Sequence, residues 1–153
     1  MKKVLIVQAV FYEKISAMLL AGAKAELDRA KVEYEIINVP GAFEIPTIIS
    51  MCKDMKNKFF KSFDQYDGYI ALGCVIRGET SHYEYVCTES ARGLNNLAMN
   101  DRLAIGNGIL TVENEAQALE RADPAKKDRG GFAAYACIEM MTHRENLILK
   151  RAK

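Results

Sequence analysis

Four short apolar runs, KVLIVQA (3–9), VEYEIINV (32–39), GYIALGCVI (68–76) and LAIGNGIL (103–110), are separated by segments of helical period, and this alternation restricts what the chain can fold into. Each run is rich in β-branched residues and near-continuously apolar, the pattern of a strand covered on both faces. Repetition of strand, helix, strand implies a parallel sheet with right-handed crossovers. The expected architecture is therefore α/β: a single-domain, three-layer sandwich over residues 1–153, with a four-stranded parallel sheet and helices on both faces.

The helical segments carry their own signals. About residues 14–30, Ile15, Met18, Leu19, Ala23 and Leu27 fall on one side. A second helix starts near Glu44 and is expected to run on into the charged stretch CKDMKNKFFKSFDQ (52–65). A third spans about Ser81 to Met99, NEAQALERA (114–122) makes a short fourth, and a long final helix follows DPAKKDRGG from Phe132. Asn114 with Gln117 reads as a helix cap, and Asp123-Pro124 as the stop of the same helix.

Charge excludes some functions. With 21 Lys and Arg against 20 Asp and Glu, there is no net field to draw in nucleic acid or an anionic membrane. Cysteines 52, 74, 87 and 137 form no CxxC pair and read as reduced thiols of a cytoplasmic protein, with no metal framework. The opening MKKVLIVQAVF imitates a signal peptide, but Gln8 breaks the run and Glu13 and Lys14 follow without a cleavage site. No segment approaches the roughly 20 apolar residues of a membrane span, so a soluble protein is expected.

In an open parallel sheet, ligands bind beyond the carboxyl ends of the strands. Three loops lie there: AVFYEK with Phe11, VPGAFEIP with Phe43 and Glu44, and CVIRGETSH. Ser81 and Glu84 in SHYE form a capping-box signature, which alone would mark an ordinary helix start. The same free N–H groups, with the helix dipole, suit a phosphate. Gly78 admits close approach of a ligand, and Thr80 and Ser81 offer hydroxyls. His82, in the first turn, reads either as a surface polar residue or as an imidazole kept neutral for acid–base work. His143, deep in the last helix, reads as structural or solvent-facing. Phe11 and Phe43 are core or ligand platforms. Arg121, Lys126, Lys127 and Arg129 form a basic cluster that is either a solvated face or a second wall for an anion, and one subunit does not obviously bring it to the phosphate-like loop.

Taken together, VPGAFEIP, GCVIRGETSHYEYV and GILTVENEAQALERA, in order and over nearly the whole chain, resemble the 6,7-dimethyl-8-ribityllumazine synthase family. The resemblance implies a flavodoxin-like fold and a transferase of the penultimate step of riboflavin biosynthesis. Such an enzyme condenses 5-amino-6-(D-ribitylamino)uracil with 3,4-dihydroxy-2-butanone 4-phosphate, releasing phosphate and water, with no metal or organic cofactor. It further implies that Phe11 packs on the pyrimidine, that Ala42, Phe43 and Glu44 hold the uracil and its ribityl chain, and that Cys74, Val75 and Ile76 line the ring. Glu79 and Thr80 match the phosphate turn, His82 the proton-transfer residue, and Arg121 the phosphate arginine. Arg129 stands where the family commonly has lysine. The arginines would come from an adjacent subunit of a homo-oligomer, a pentamer or a pentamer-based shell, with riboflavin synthase as a further partner.

Some positions depart from the family pattern. Asn107 stands where many members carry phenylalanine over the substrate ring, exchanging stacking for a hydrogen bond. Val10 and Tyr12 replace a frequent arginine and asparagine. The chain starts at its first strand without an extended arm, and the wording of ADPAKKDRGG differs from that of shell formers, so a free pentamer is expected. Two other readings stand beside the synthase. One is a non-catalytic riboflavin- or lumazine-binding or shell-forming relative, against which Glu44, Thr80, His82 and Arg121 argue together. The other is a flavodoxin-like electron carrier, which AVFYEKIS does not suit because it lacks a hydroxyl-rich phosphate loop.

Overall fold

The computed structural model describes residues 1–54 and 66–151. Along it run β1 (Lys3–Ala9), α1 (Glu13–Arg29), β2 (Glu33–Val39), a 3-10 turn (Ala42–Glu44), α2 (Ile45–Asp54), β3 (Gly68–Ile76), α3 (His82–Asn100), β4 (Ile105–Val112), α4 (Glu115–Ala122) and α5 (Arg129–Arg151). The strands form one all-parallel sheet in the order β2-β1-β3-β4. This is the α/β sandwich that the alternation of periods predicts. The expected continuation of helix two through residues 55–65 lies outside the described residues.

Successive side chains of a strand point to opposite faces, and the core divides accordingly. Val4, Ile6, Ile70 and Leu72 meet Leu19, Leu27, Ala118, Ala134 and Met141 of α1, α4 and α5. Leu5, Val7, Tyr69 and Ala71 meet Ile45, Ile49, Leu94 and Leu97 of α2 and α3. The chain leaves β1 for β2 on the first face and returns across β1 to β3 on the second. Strand order thus reverses between β1 and β3, and a crevice opens at their carboxyl ends.

Coverage of the strands is unequal. Almost all of β1 and the first six residues of β3 are buried, as their apolar runs predict. By contrast, Glu33, Glu35, Ile36 and Asn38 of β2 are exposed, as are Asn107 and Thr111 of β4. Both are edge strands; α5 covers one face of β4, where Gly106 and Gly108 lie against Ala133, and Asn107 and Thr111 alternate to the other face.

The tightest helix contact is between α1 and α5. A Cβ on Gly130 would stand 2.0 Å from the Leu19 carbonyl oxygen, and one on Gly22 would stand 2.1 Å from an Asp128 carboxylate oxygen. Asp128, at φ 42°, accepts the Gly131 N–H at 3.0 Å and so caps α5, whose first residue is Arg129.

Candidate active site

At the carboxyl end of β1, the Val10 N–H reaches the Val39 carbonyl at 3.4 Å. The buried Ser16 hydroxyl donates to the Ala9 carbonyl at 3.0 Å. These bonds tie the β1–α1 loop to the sheet and leave Phe11 outside it, 75% exposed, its ring edge-on to Tyr12 at 4.9 Å between centroids. An aromatic held at a strand end and left in water is unlike a core residue.

The 3-10 turn after β2 packs against β1, β3 and α3. Ala42 is buried there while Phe43 and Glu44 face outward. Phe43 comes within 6.1 Å of His82, ring centroid to centroid, with 40° between planes. Two side chains 39 positions apart in sequence thus meet at one edge of the crevice.

The end of β3 divides by alternation. Cys74 and Ile76 turn towards the α1 side, packed on that core, so only Val75 of the three expected ring-lining residues directs its side chain to the α3 side. From Cys74 and Ile76, backbone groups are what the crevice can use. Burial pushes the Cys74 thiol up to about 12, which keeps it protonated and a poor nucleophile. Tyr12 beside it is also raised, by burial first and by Cys74 second.

The expected Ser81–Glu84 capping box is not formed. Ser81 has helical backbone angles (φ −70°, ψ −2°), and its side chain makes no cap hydrogen bond. Arg77 takes the Glu84 carboxylate instead, holding it below the ordinary carboxylate range with help from the Glu84 backbone amide. What side-chain capping there is comes from Thr80, whose Oγ1 accepts the His82 N–H at 3.3 Å. Glu79, Thr80, Ser81 and His82 are all exposed, so the N-terminus of α3 faces solvent, with the Glu84 carboxylate meeting its own N–H in the first turn.

Arg77 is the residue that sequence reasoning passed over. Its Nε donates to Glu113 at 2.7 Å, and its guanidinium lies over the Tyr83 ring at 4.3 Å from the centroid. Seven positions from Glu84 and thirty-six from Glu113, it matched no short motif. A basic residue leaving a strand end between two carboxylates was the available signal.

The α4 cap forms as expected. Asn114 Oδ1 accepts the Gln117 N–H at 2.9 Å, and Gln117 Oε1 accepts the Glu113 N–H at 2.9 Å. Arg121 donates to the Gln117 carbonyl at 3.1 Å, Arg129 stands 5.8 Å from the Phe132 ring centroid, and Lys126 pairs with Glu120 at 3.5 Å. Among the described residues neither arginine meets a carboxylate. Both ride on the α1-side layer, whereas Phe43 and His82 stand on the α2/α3 side, so one chain does not gather the whole predicted set. Asn107 also stands apart, exposed on edge strand β4, its Oδ1 accepting the Ile109 N–H at 3.0 Å.

Clefts also lie elsewhere among the described residues. One of about 300 Å³ separates α2 from α3 at Pro46, Gly93 and Asn96. Another of about 960 Å³, with Tyr69, Arg102, Arg144 and the exposed His143 in its walls, sits at the amino end of the strands. Among the described residues no helix is long and apolar enough to cross a membrane.

Residues 1–145 match the family model described as 6,7-dimethyl-8-ribityllumazine synthase. Relatives that bear that same name include the following three. A protein of Novosphingobium aromaticivorans is 55% identical over 145 residues, covering 95% of this chain and 98% of the relative. One of Paramagnetospirillum magneticum is 49% identical over 147 residues, covering 96% and 97%. One of Bartonella tribocorum is 56% identical over 138 residues, covering 90% and 87%.

Proposed function

The chain belongs to the 6,7-dimethyl-8-ribityllumazine synthase family, and on that premise we propose how its residues divide the work. It is a transferase that condenses 5-amino-6-(D-ribitylamino)uracil with 3,4-dihydroxy-2-butanone 4-phosphate. The amine of the pyrimidine attacks the ketone carbonyl and water leaves to give an imine. Phosphate is then eliminated, and ring closure expels a second water. Holding two substrates in register supplies much of the rate in such a reaction, with proton transfer added to it.

In this assignment Phe11 and Phe43 offer aromatic faces to the pyrimidine. Glu44 accepts from ribityl hydroxyls, Val75 lines the ring, and backbone groups of Ala42, Cys74 and Ile76 complete that side. Asn107 contributes an amide rather than an aromatic face. Glu79 and Thr80 at the start of α3 receive the phosphate, opposite Arg121 and Arg129. His82 transfers protons to and from the reacting oxygens and nitrogens. The observation that carries the assignment is the meeting of Phe43 and His82, 6.1 Å apart, in a chain whose residues 1–145 match the family.

The two arginines belong, in this reading, to the site of an adjacent subunit. Their separation from His82 within one chain and their lack of carboxylate partners favour a homo-oligomer with active sites at subunit interfaces. A free cytoplasmic pentamer is the form proposed, one that could hand its product to riboflavin synthase. The purified protein, mixed with both substrates and no added metal, should yield the fluorescent lumazine. Absence of product from fresh substrates would sink the assignment.

A further inference from the structure

We infer that Tyr12 is a positioning residue for the pyrimidine substrate: its ring, seated on the α1-side core, holds the Phe11 ring in the orientation that receives the heterocycle. The inference rests on the placement of Phe11 at the pyrimidine, made above, and goes beyond it by naming what fixes that platform.

Phe11 is 75% exposed, and a side chain with so little packing exchanges among its rotamers in water. Seating a flat substrate against it then costs the entropy of stilling the ring. The Phe11 ring does have one neighbour, Tyr12, at 4.9 Å between centroids and 76° between planes, the geometry of a favourable edge-to-face pair. Such a neighbour steadies Phe11 only where it is itself fixed.

Tyr12 is fixed at backbone and ring alike. Its carbonyl accepts the Ser16 N–H at 2.9 Å, and the Ser16 hydroxyl donates to the Ala9 carbonyl at 3.0 Å. The chain is thereby tied on both sides of the Phe11–Tyr12 pair. The Tyr12 ring is half-buried and packs on the same core as Cys74 and Ile76, so one ring of the pair is anchored inward while the other stands in solvent.

The residue type agrees with this role. Tyr12 occupies the N-cap position of α1 and makes no side-chain cap bond there, where serine, threonine, aspartate or asparagine would serve the helix better. What tyrosine contributes at this position is its ring.

The test titrates wild type, Y12F, Y12L, F11A and F11A/Y12L, each as full-length protein, with 6,7-dimethyl-8-ribityllumazine by its fluorescence, and measures the KM of each substrate. Y12L keeps apolar bulk on the core and removes the ring. It should weaken lumazine binding, and raise the KM for the ribitylaminouracil, roughly threefold, the scale of ordering one side chain. The KM for the phosphorylated ketone should stay within about twofold, a split that mere loosening of the fold would not produce. Y12F, the conservative exchange that keeps the ring, should restore both pyrimidine readouts. F11A should weaken lumazine binding by itself, and adding Y12L to it should cost nothing further, because the residue through which Tyr12 acts is gone. Wild-type affinity in Y12L, equal losses in Y12F and Y12L, or a Y12L loss that persists in the F11A background overturns the inference. If Y12L does not accumulate as folded protein, Y12M takes its place under the same criteria. Wild-type affinity in F11A removes Phe11 from the pyrimidine and the inference with it, whereas wild-type affinity in Y12L alone leaves the Phe11 assignment standing. The titration reads binding without turnover, so failure of the family activity is read separately from both.

Discussion

Phe43 and His82 reach each other from different crossovers, one from the turn behind β2 and the other from the first residue of α3, with ring centroids 6.1 Å apart and planes inclined at 40°. Because β1 and β3 are neighbours at the reversal of strand order, the crossover through α2 must pass over β1. That path brings the 3-10 turn beside the start of α3. The imidazole and the aromatic face are consequently fixed by sheet topology, at the same edge of the crevice and without a bond between them.

From this arrangement, His82→Ala should impair chemistry more than assembly. Loss of a positioned proton-transfer group lowers turnover by roughly 100-fold, the lower end of the general acid–base range, since positioning of the two substrates is retained. The KM of each substrate should change little. Steady-state lumazine fluorescence gives both constants, and an unchanged kcat would remove His82 from the chemistry.

Asn107→Phe restores the aromatic that many family members carry. Asn107 is exposed on β4 and its side chain bonds only locally, to the Ile109 N–H at 3.0 Å, so the strand tolerates the exchange. Added stacking on the pyrimidine should lower the KM for the ribitylaminouracil by roughly threefold, the low end of what an aromatic pair contributes. The KM for the phosphorylated ketone should not move. A raised pyrimidine KM would show that the amide makes a contact of its own.

The sandwich was legible because strand and helix periods differ and the apolar runs are long. What escaped reading depended on neighbours distant in sequence. VEYEIINV and LAIGNGIL resemble central strands, yet they lie at the edges, since strand order follows from crossovers rather than from composition. Ser81 and Glu84 satisfy a local capping rule, and Arg77 overrides it from the preceding strand end. Cys74, Val75 and Ile76 match the family as one block, but strand alternation sends two of the three side chains into the opposite layer. At the α4 start, where Asn114 and Gln117 have no such competitor, the local rule held.

Gly130 offers a test of the α1–α5 contact. A methyl group there would stand 2.0 Å from a backbone oxygen, and neither helix can yield locally. Gly130→Ala should cost about 1–3 kcal/mol through overpacking and lower the melting temperature by several degrees. It should also disturb the seat of Arg129, its immediate neighbour at the start of α5, so phosphate affinity should fall even at temperatures where the protein remains folded. A variant that melts like wild type would show the contact to be looser than the geometry requires.

Alkaline pH should destabilise the fold through its buried acids. Burial pushes the thiols of Cys74 and Cys137 up from 9.0 to about 12, and the Tyr69 hydroxyl from 10.0 to about 12. Between pH 9 and 12 the unfolded chain sheds these protons while the folded chain keeps them. The unfolded state then binds fewer protons, and stability falls as pH rises. Below the ordinary thiol pKa both states are protonated, and these groups impose no slope. The melting temperature should therefore be level with respect to these groups up to about pH 8.5 and decline steadily above pH 9. Cys137→Ala should flatten that decline while costing stability at neutral pH through the space it leaves. For the same reason Cys74 and Cys137 should resist iodoacetamide at pH 8 until the protein is unfolded. Rapid labelling of Cys137 in folded protein, or a melting temperature level to pH 11, would contradict the buried, protonated state from which the slope is derived.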